Sequence, residues 1–157
     1  MKGILHTDGG ARGNPGPAGI GVVLTADGKP AREVARSIGE TTNNVAEYKA
    51  LIAGLELALE SDISEIEVFV DSELVAAQVK GLWKIKNDRL RALASKAQSL
   101  LNRFDDASIT HVRRHLNARA DELANEAMDQ GAAPDPLGRA GGLSLDLDAA
   151  VPAEDDM

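Results

Sequence analysis

The chain has no cysteine. That excludes disulfides, thiolate zinc sites and a cysteine nucleophile, and it fits a reducing cytoplasm. No apolar run approaches the roughly 20 residues that cross a bilayer. The opening Met1-Lys2-Gly3 carries no secretory pattern. A soluble, cytoplasmic protein with no membrane partner is expected. Two common nucleotide signatures are missing as well. The glycine-rich stretch at 9–16 has no Gly-Lys-Ser or Gly-Lys-Thr after it, and residues 19–25 beyond it read as strand rather than helix. It is therefore neither a P-loop nor a dinucleotide fingerprint.

Positive charge is scarce, with a formal net charge of -8 over 157 residues. The deficit is uneven. Residues 131–157 hold six acids against Arg139 alone, which leaves -3 for residues 1–130. Within that part, Lys80, Lys84, Lys86, Arg89 and Arg91 cluster around Trp83, diluted by Asp88. The global sign therefore does not exclude a phosphate-bearing partner, because phosphate contacts depend on local charge.

The length suits one domain with a core of its own. Residues 1–8 read as a strand, 9–16 as a Gly/Asn/Pro turn, 19–25 as a second strand and 31–38 as a third, with a hairpin signal at Asp27-Gly28. Thr41 to Asn44 offer caps for a helix running to about Glu60. Then come a strand at 65–71, a short helix at 72–79, a helix at 87–102, a strand at 107–113 and a helix at 118–130. A meander followed by alternating strands and helices predicts an α/β fold with a mixed sheet and helices packed on it. From Gly131 the apolar period is lost, and 131–157 reads as a flexible acidic tail or a linker.

Four carboxylates stand in unusual places. Asp8 ends the run Ile4-Leu5-His6-Thr7, and Asp71 ends Ile66-Glu67-Val68-Phe69-Val70. Glu47 lies four residues before Leu51 on the stripe formed with Leu55 and Leu59, so it is expected on the buried face of its helix. Asp121 lies near the start of the last helix. Singly, each has an ordinary reading, as a turn starter or a helix-dipole acid. Together they would meet at one edge of the sheet, where ligands of such sheets gather. Four acids converging there would repel one another unless hard cations lay between them, and Mg2+ takes oxygen ligands of this kind. The expectation is an oxygen-lined metal site for phosphoryl chemistry.

The turn at 9–16 could let a backbone approach a phosphate closely, or it could be a plain wide loop. Trp83 is either an exposed face for a sugar or base, or a core residue beside solvated lysines. His6 and His111 read as structural. His115, in the connection before Asp121, could shuttle protons or could be an exposed loop histidine.

Thr7-Asp8-Gly9-Gly10 with Gly13-Asn14-Pro15-Gly16-Pro17-Ala18-Gly19 resembles the opening of type 1 ribonuclease H. Thr41-Thr42-Asn43-Asn44-Val45-Ala46-Glu47, Val70-Asp71-Ser72 and Asn117-Ala118-Arg119-Ala120-Asp121-Glu122-Leu123-Ala124 are similar to that family's further acidic segments, in order, across about residues 1–130. The resemblance implies a ribonuclease H-like five-stranded mixed sheet flanked by helices. It implies a monomeric endonuclease that cleaves the RNA strand of an RNA–DNA hybrid. Asp8, Glu47, Asp71 and Asp121 would ligate two Mg2+ ions, or Mn2+, with Asp8 bridging them and His115 as a further catalytic candidate. The products would carry 5′-phosphate and 3′-hydroxyl ends. Substrate contacts are expected from Gly9, Gly10, Ala11, Arg12, Asn14, Thr42, Asn43 and Asn44, and from Trp83, Lys84 and Lys86. The stretch from Lys80 to Asn87 is too short for the basic protrusion of better-known bacterial members, so the likeness is to the compact subgroup. Alternatives are a non-catalytic nucleic-acid-binding module and a nuclease of the same fold with another substrate.

Overall fold

The computed structural model describes residues 1–27 and 29–132. The elements are β1 (Lys2–Ala11), β2 (Gly16–Ala26), β3 (Lys29–Thr41), α1 (Asn43–Glu60), β4 (Glu65–Val70), α2 (Glu73–Val79), α3 (Asp88–Leu101), β5 (Asp106–His111), a 3-10 turn (Arg114–Asn117) and α4 (Ala118–Ala132). The sheet order is β3-β2-β1-β4-β5. β1 is central, antiparallel to β2 and parallel to β4, which is parallel to β5. The expected mixed sheet of five strands is the one observed. Of the stretch read as a tail, Gly131 and Ala132 extend α4, and 133–157 lie outside the described residues. Among the described residues, no helix is long and apolar enough to cross a membrane.

The meander differs from expectation. β1 does not stop at Asp8, because Gly9, Gly10 and Ala11 pair with Ile20, Gly19 and Ala18 of β2. Both glycines signal a turn by composition, but the use of Gly9 here is close packing. A Cβ at Gly9 would lie 2.2 Å from the Ala46 carbonyl oxygen of α1. On the other face a Cβ at Gly21 would lie 2.1 Å from the Ala120 carbonyl oxygen of α4. The two helices thus sandwich the sheet with their backbones nearly on it.

The main core lies between the sheet and α1, α2 and α3, built on Leu5, Val22, Val68, Leu51, Leu55, Val75 and Leu93. α1 is buried on nearly every side, from Val45 to Ala58. α4 covers the second face with a strip of small residues, Ala120, Ala124 and Ala127, all fully buried. Arg119 fixes that helix to β3 by paired bonds to Glu33, Nε to Oε2 at 2.9 Å and a terminal nitrogen to Oε1 at 2.8 Å.

Candidate active site

The parallel ladder between β1 and β4 ends on the pair Thr7–Val70. Asp8 and Asp71 are the next residue on each chain, at the point where the strands part. Asp8 opposes Gly21 of β2 and so faces α4, which supplies Asp121 from its first turn. Glu47 comes from the other side of the sheet, in the first turns of α1. Thr42 caps that helix, its Oγ1 accepting from Val45 N at 3.3 Å. Asn43 Nδ2 donates to Glu47 Oε2 at 3.1 Å. A small cavity is lined by Thr7, Asp8, Glu47, Val70, Asp71, Ser72 and Val75. It adjoins a cleft of about 190 Å³ that takes in Asp8, Glu47, Asp121, Arg114, Asn125 and Met128.

Electrostatics mark the cluster as strained. Burial, then the charge of Asp71, with Asp121 and Glu47 adding to it, push the Asp8 carboxyl up to about 9. Burial also pushes Glu47 up to about 7, with Asp71 adding to it while Ser72 and Asn43 pull the other way. Glu47 Oε1 and Asp71 Oδ2 are buried and meet no hydrogen-bond partner. Among the described residues, no three acids close around a common point at ligating distance; the four are grouped on Asp8 rather than drawn into a shell. The donor set, all carboxylate with two orphaned oxygens, suits a hard divalent cation.

The remaining candidates are placed variously. Arg12 turns onto α4, where it pairs with Asp129 and reaches Asn125. Asn14 Oδ1 accepts from Asn43 N at 3.0 Å, and Asn43 Oδ1 accepts from Ala11 N at 3.2 Å. The expected substrate groups Asn14 and Asn43 therefore also tie β1 and the β1–β2 loop to the start of α1, which Thr42 caps. Gly9, Gly10, Ala11 and Arg12 border the cleft, and Asn44 is half-buried beside it in sequence. Trp83 stands exposed, as do Lys84 and Lys86, next to an exposed Leu82. Arg89 is not part of that patch: it is buried on α3 beside Leu90. His6 stacks on Phe69 at 5.2 Å between ring centres, whereas His111 is exposed at the end of β5. His115 is exposed and is not among the side chains lining the cleft; its neighbour Arg114 is, 3.5 Å from Asp121. Arg114, Asn125 and Met128 had no signal in the sequence beyond their distance from Asp121.

A model described as reverse transcriptase-like matches residues 6–127. Ribonuclease HI of Halobacterium salinarum is 50% identical over 125 residues, covering 79% of this chain and 63% of that protein. The solved N-terminal RNase H domain of a Mycobacterium tuberculosis protein has a TM-score of 0.80 at 46% identity, covering 84% of this chain and 96% of the other. LC11-RNase H1, isolated from compost and solved in complex with an RNA/DNA hybrid, has a TM-score of 0.76 at 47% identity, covering 83% and 99%. The chain spans less of the full-length curated relatives, 63% of the Halobacterium protein and 37% of the mycobacterial one. With the sheet order and these likenesses together, the chain belongs to the ribonuclease H family.

Proposed function

We propose that this chain is an endoribonuclease that hydrolyses the RNA strand of RNA–DNA hybrids, leaving 5′-phosphate and 3′-hydroxyl ends. The observation that carries the reading is the grouping of Glu47, Asp71 and Asp121 on Asp8, with two buried carboxylate oxygens that meet no partner. These four residues would hold two Mg2+ ions, or Mn2+ in their place. Such ions, when bound, supply an activated water and neutralise charge at the leaving oxygen.

The chain's own groups do the rest. Burial holds Asp8 largely protonated and Glu47 about half protonated near neutral pH, so taking in a cation would release protons from them. The backbone of residues 9–12 borders the cleft and offers contacts to 2′-hydroxyls, the groups that separate RNA from DNA. Arg114 brings positive charge beside Asp121, where a phosphate would lie. Trp83, Lys84 and Lys86 are exposed and suit a sugar–phosphate backbone. The hybrid bound in the LC11 structure supports this substrate class.

The test is cleavage of a labelled hybrid with Mg2+ by the wild type, Asp8→Asn and Asp71→Asn. Each variant should lose more than about a hundredfold in rate, since even groups behind metal ligands cost 10–100-fold. Activity near wild type would remove them from the site. Parallel assays on duplex RNA and duplex DNA separate this reading from a relative with another substrate. Hybrid binding without cutting at any Mg2+ concentration would make the chain a binding module.

A further inference from the structure

Asn117 is 1% exposed and is the last residue of the 3-10 turn, immediately before α4. It lies within a helical run that passes from the 3-10 turn into α4. Its Oδ1 is buried and meets no donor. Its amide points away from the helix, and Nδ2 donates to the Thr7 carbonyl oxygen of β1 at 2.9 Å, across 110 residues of sequence.

Both ends of that bond are placed with respect to the site. Thr7 forms the last rung with β4 and directly precedes Asp8. Asn117 lies four residues before Asp121, about one helical turn, so the two sit on the same side of the helix start. One buried bond therefore couples the strand that carries Asp8 to the turn that leads into Asp121. The neighbouring tie, Arg114 to Asp121, is solvent-exposed on the arginine side and constrains little.

We infer that Asn117 is a positioning residue that sets the Asp8–Asp121 separation, and through it the affinity of the cation those two carboxylates share. This rests on the proposed metal-dependent nuclease. Asn117 touches no reacting group, and its burial keeps it from the hybrid. Its removal should act on cation binding and leave substrate binding alone.

The experiment compares wild type, Asn117→Ala, Asn117→Ser and Gln98→Ala. Gln98 Nε2 makes the same kind of bond, to the Val79 carbonyl oxygen at 3.0 Å, away from the four acids. Two Mg2+ titrations are read: thermal unfolding without nucleic acid, and kcat and KM on the hybrid. For both Asn117 variants the Mg2+ midpoint should rise by about tenfold or more in both titrations. Saturating Mg2+ should restore most of kcat, and the hybrid KM should stay within about twofold. Gln98→Ala should lower the unfolding temperature without moving the midpoint. Asn117 variants that unfold at lower temperature with a midpoint within about twofold of wild type would reduce Asn117 to a structural brace and overturn the inference. If Asn117→Ala does not fold, Asn117→Ser decides. A wild type whose unfolding responds to Mg2+ but which cuts no hybrid would sink the nuclease reading, while the unfolding titration still judges Asn117.

Discussion

Replacing Gly9 by alanine tests whether backbone contact between β1 and α1 sets the site. The added Cβ would lie 2.2 Å from the Ala46 oxygen, 2.4 Å from the Ala46 carbon and 2.8 Å from the Glu47 nitrogen. Ordinary contact begins near 3.4 Å, so the shortest approach is about 1.2 Å too close. None of these atoms belongs to a flexible side chain. Ala46 N is bonded to the Thr42 oxygen at 3.0 Å, and Val45, Ala46 and Ala50 are fully buried, so the helix cannot yield locally. Strand and helix must separate by about an ångström between Asp8 and Glu47. Overpacking of this kind costs about 1–3 kcal/mol, or roughly 3–10 °C in a domain of this size. Metal sites tolerate about 0.2 Å in ligand distance, and a 1 Å misplacement can cost on the order of a hundredfold in rate. Hybrid cleavage by Gly9→Ala at 25 °C, well below its unfolding temperature, should therefore fall about a hundredfold. Gly10→Ala is the stability control, because its Cβ would meet the flexible Met128 Cε at 3.2 Å and should shift the unfolding temperature little. A Gly9→Ala protein with the wild-type unfolding temperature and cleavage within about threefold would refute the reasoning.

The cation-free protein should lose stability as pH rises from about 6.5 to 8. Asp8 and Glu47 titrate in the folded chain near 9 and 7, above their unfolded values, so the folded state holds protons the unfolded state has released, and that advantage drains away with rising pH. His6, depressed from 6.5, and Lys49, lowered to about 8, titrate with the opposite sign mainly outside this window. One retained proton over this interval is worth about 2 kcal/mol; unfolding followed in chelator should show the decline and Mg2+ should flatten it, whereas a level profile in chelator would count against the buried acids. Trp83→Ala should weaken hybrid binding by roughly 5- to 150-fold, the range for loss of one aromatic–base stack, with little change in unfolding temperature because the ring is 45% exposed. Unchanged affinity in a binding titration would take Trp83 out of the substrate surface.

The sequence alone determined a good deal. Alternating and helical periods located all five strands and four helices, and the two acids ending apolar runs, with Glu47 in phase with Leu51 and Leu55, pointed to the candidate site. These were legible because burial and charge conflict at those positions, and a sequence displays that conflict directly. Other features needed the fold. Gly9 and Gly10 read as a turn, since local composition cannot tell a glycine that bends the chain from one that admits a helix backbone. Arg89 counted among surface charges until the phase of α3 turned it inward. Arg114 reaches the cleft, and Asn117 reaches Thr7, only through the fold, which brings the segment before α4 beside the end of β1, 110 residues after Thr7. Side-chain type and spacing fix which groups are chemically suited to a cation. Which of them face one another is decided by strand ends and helix seats, long-range contacts that no local pattern encodes.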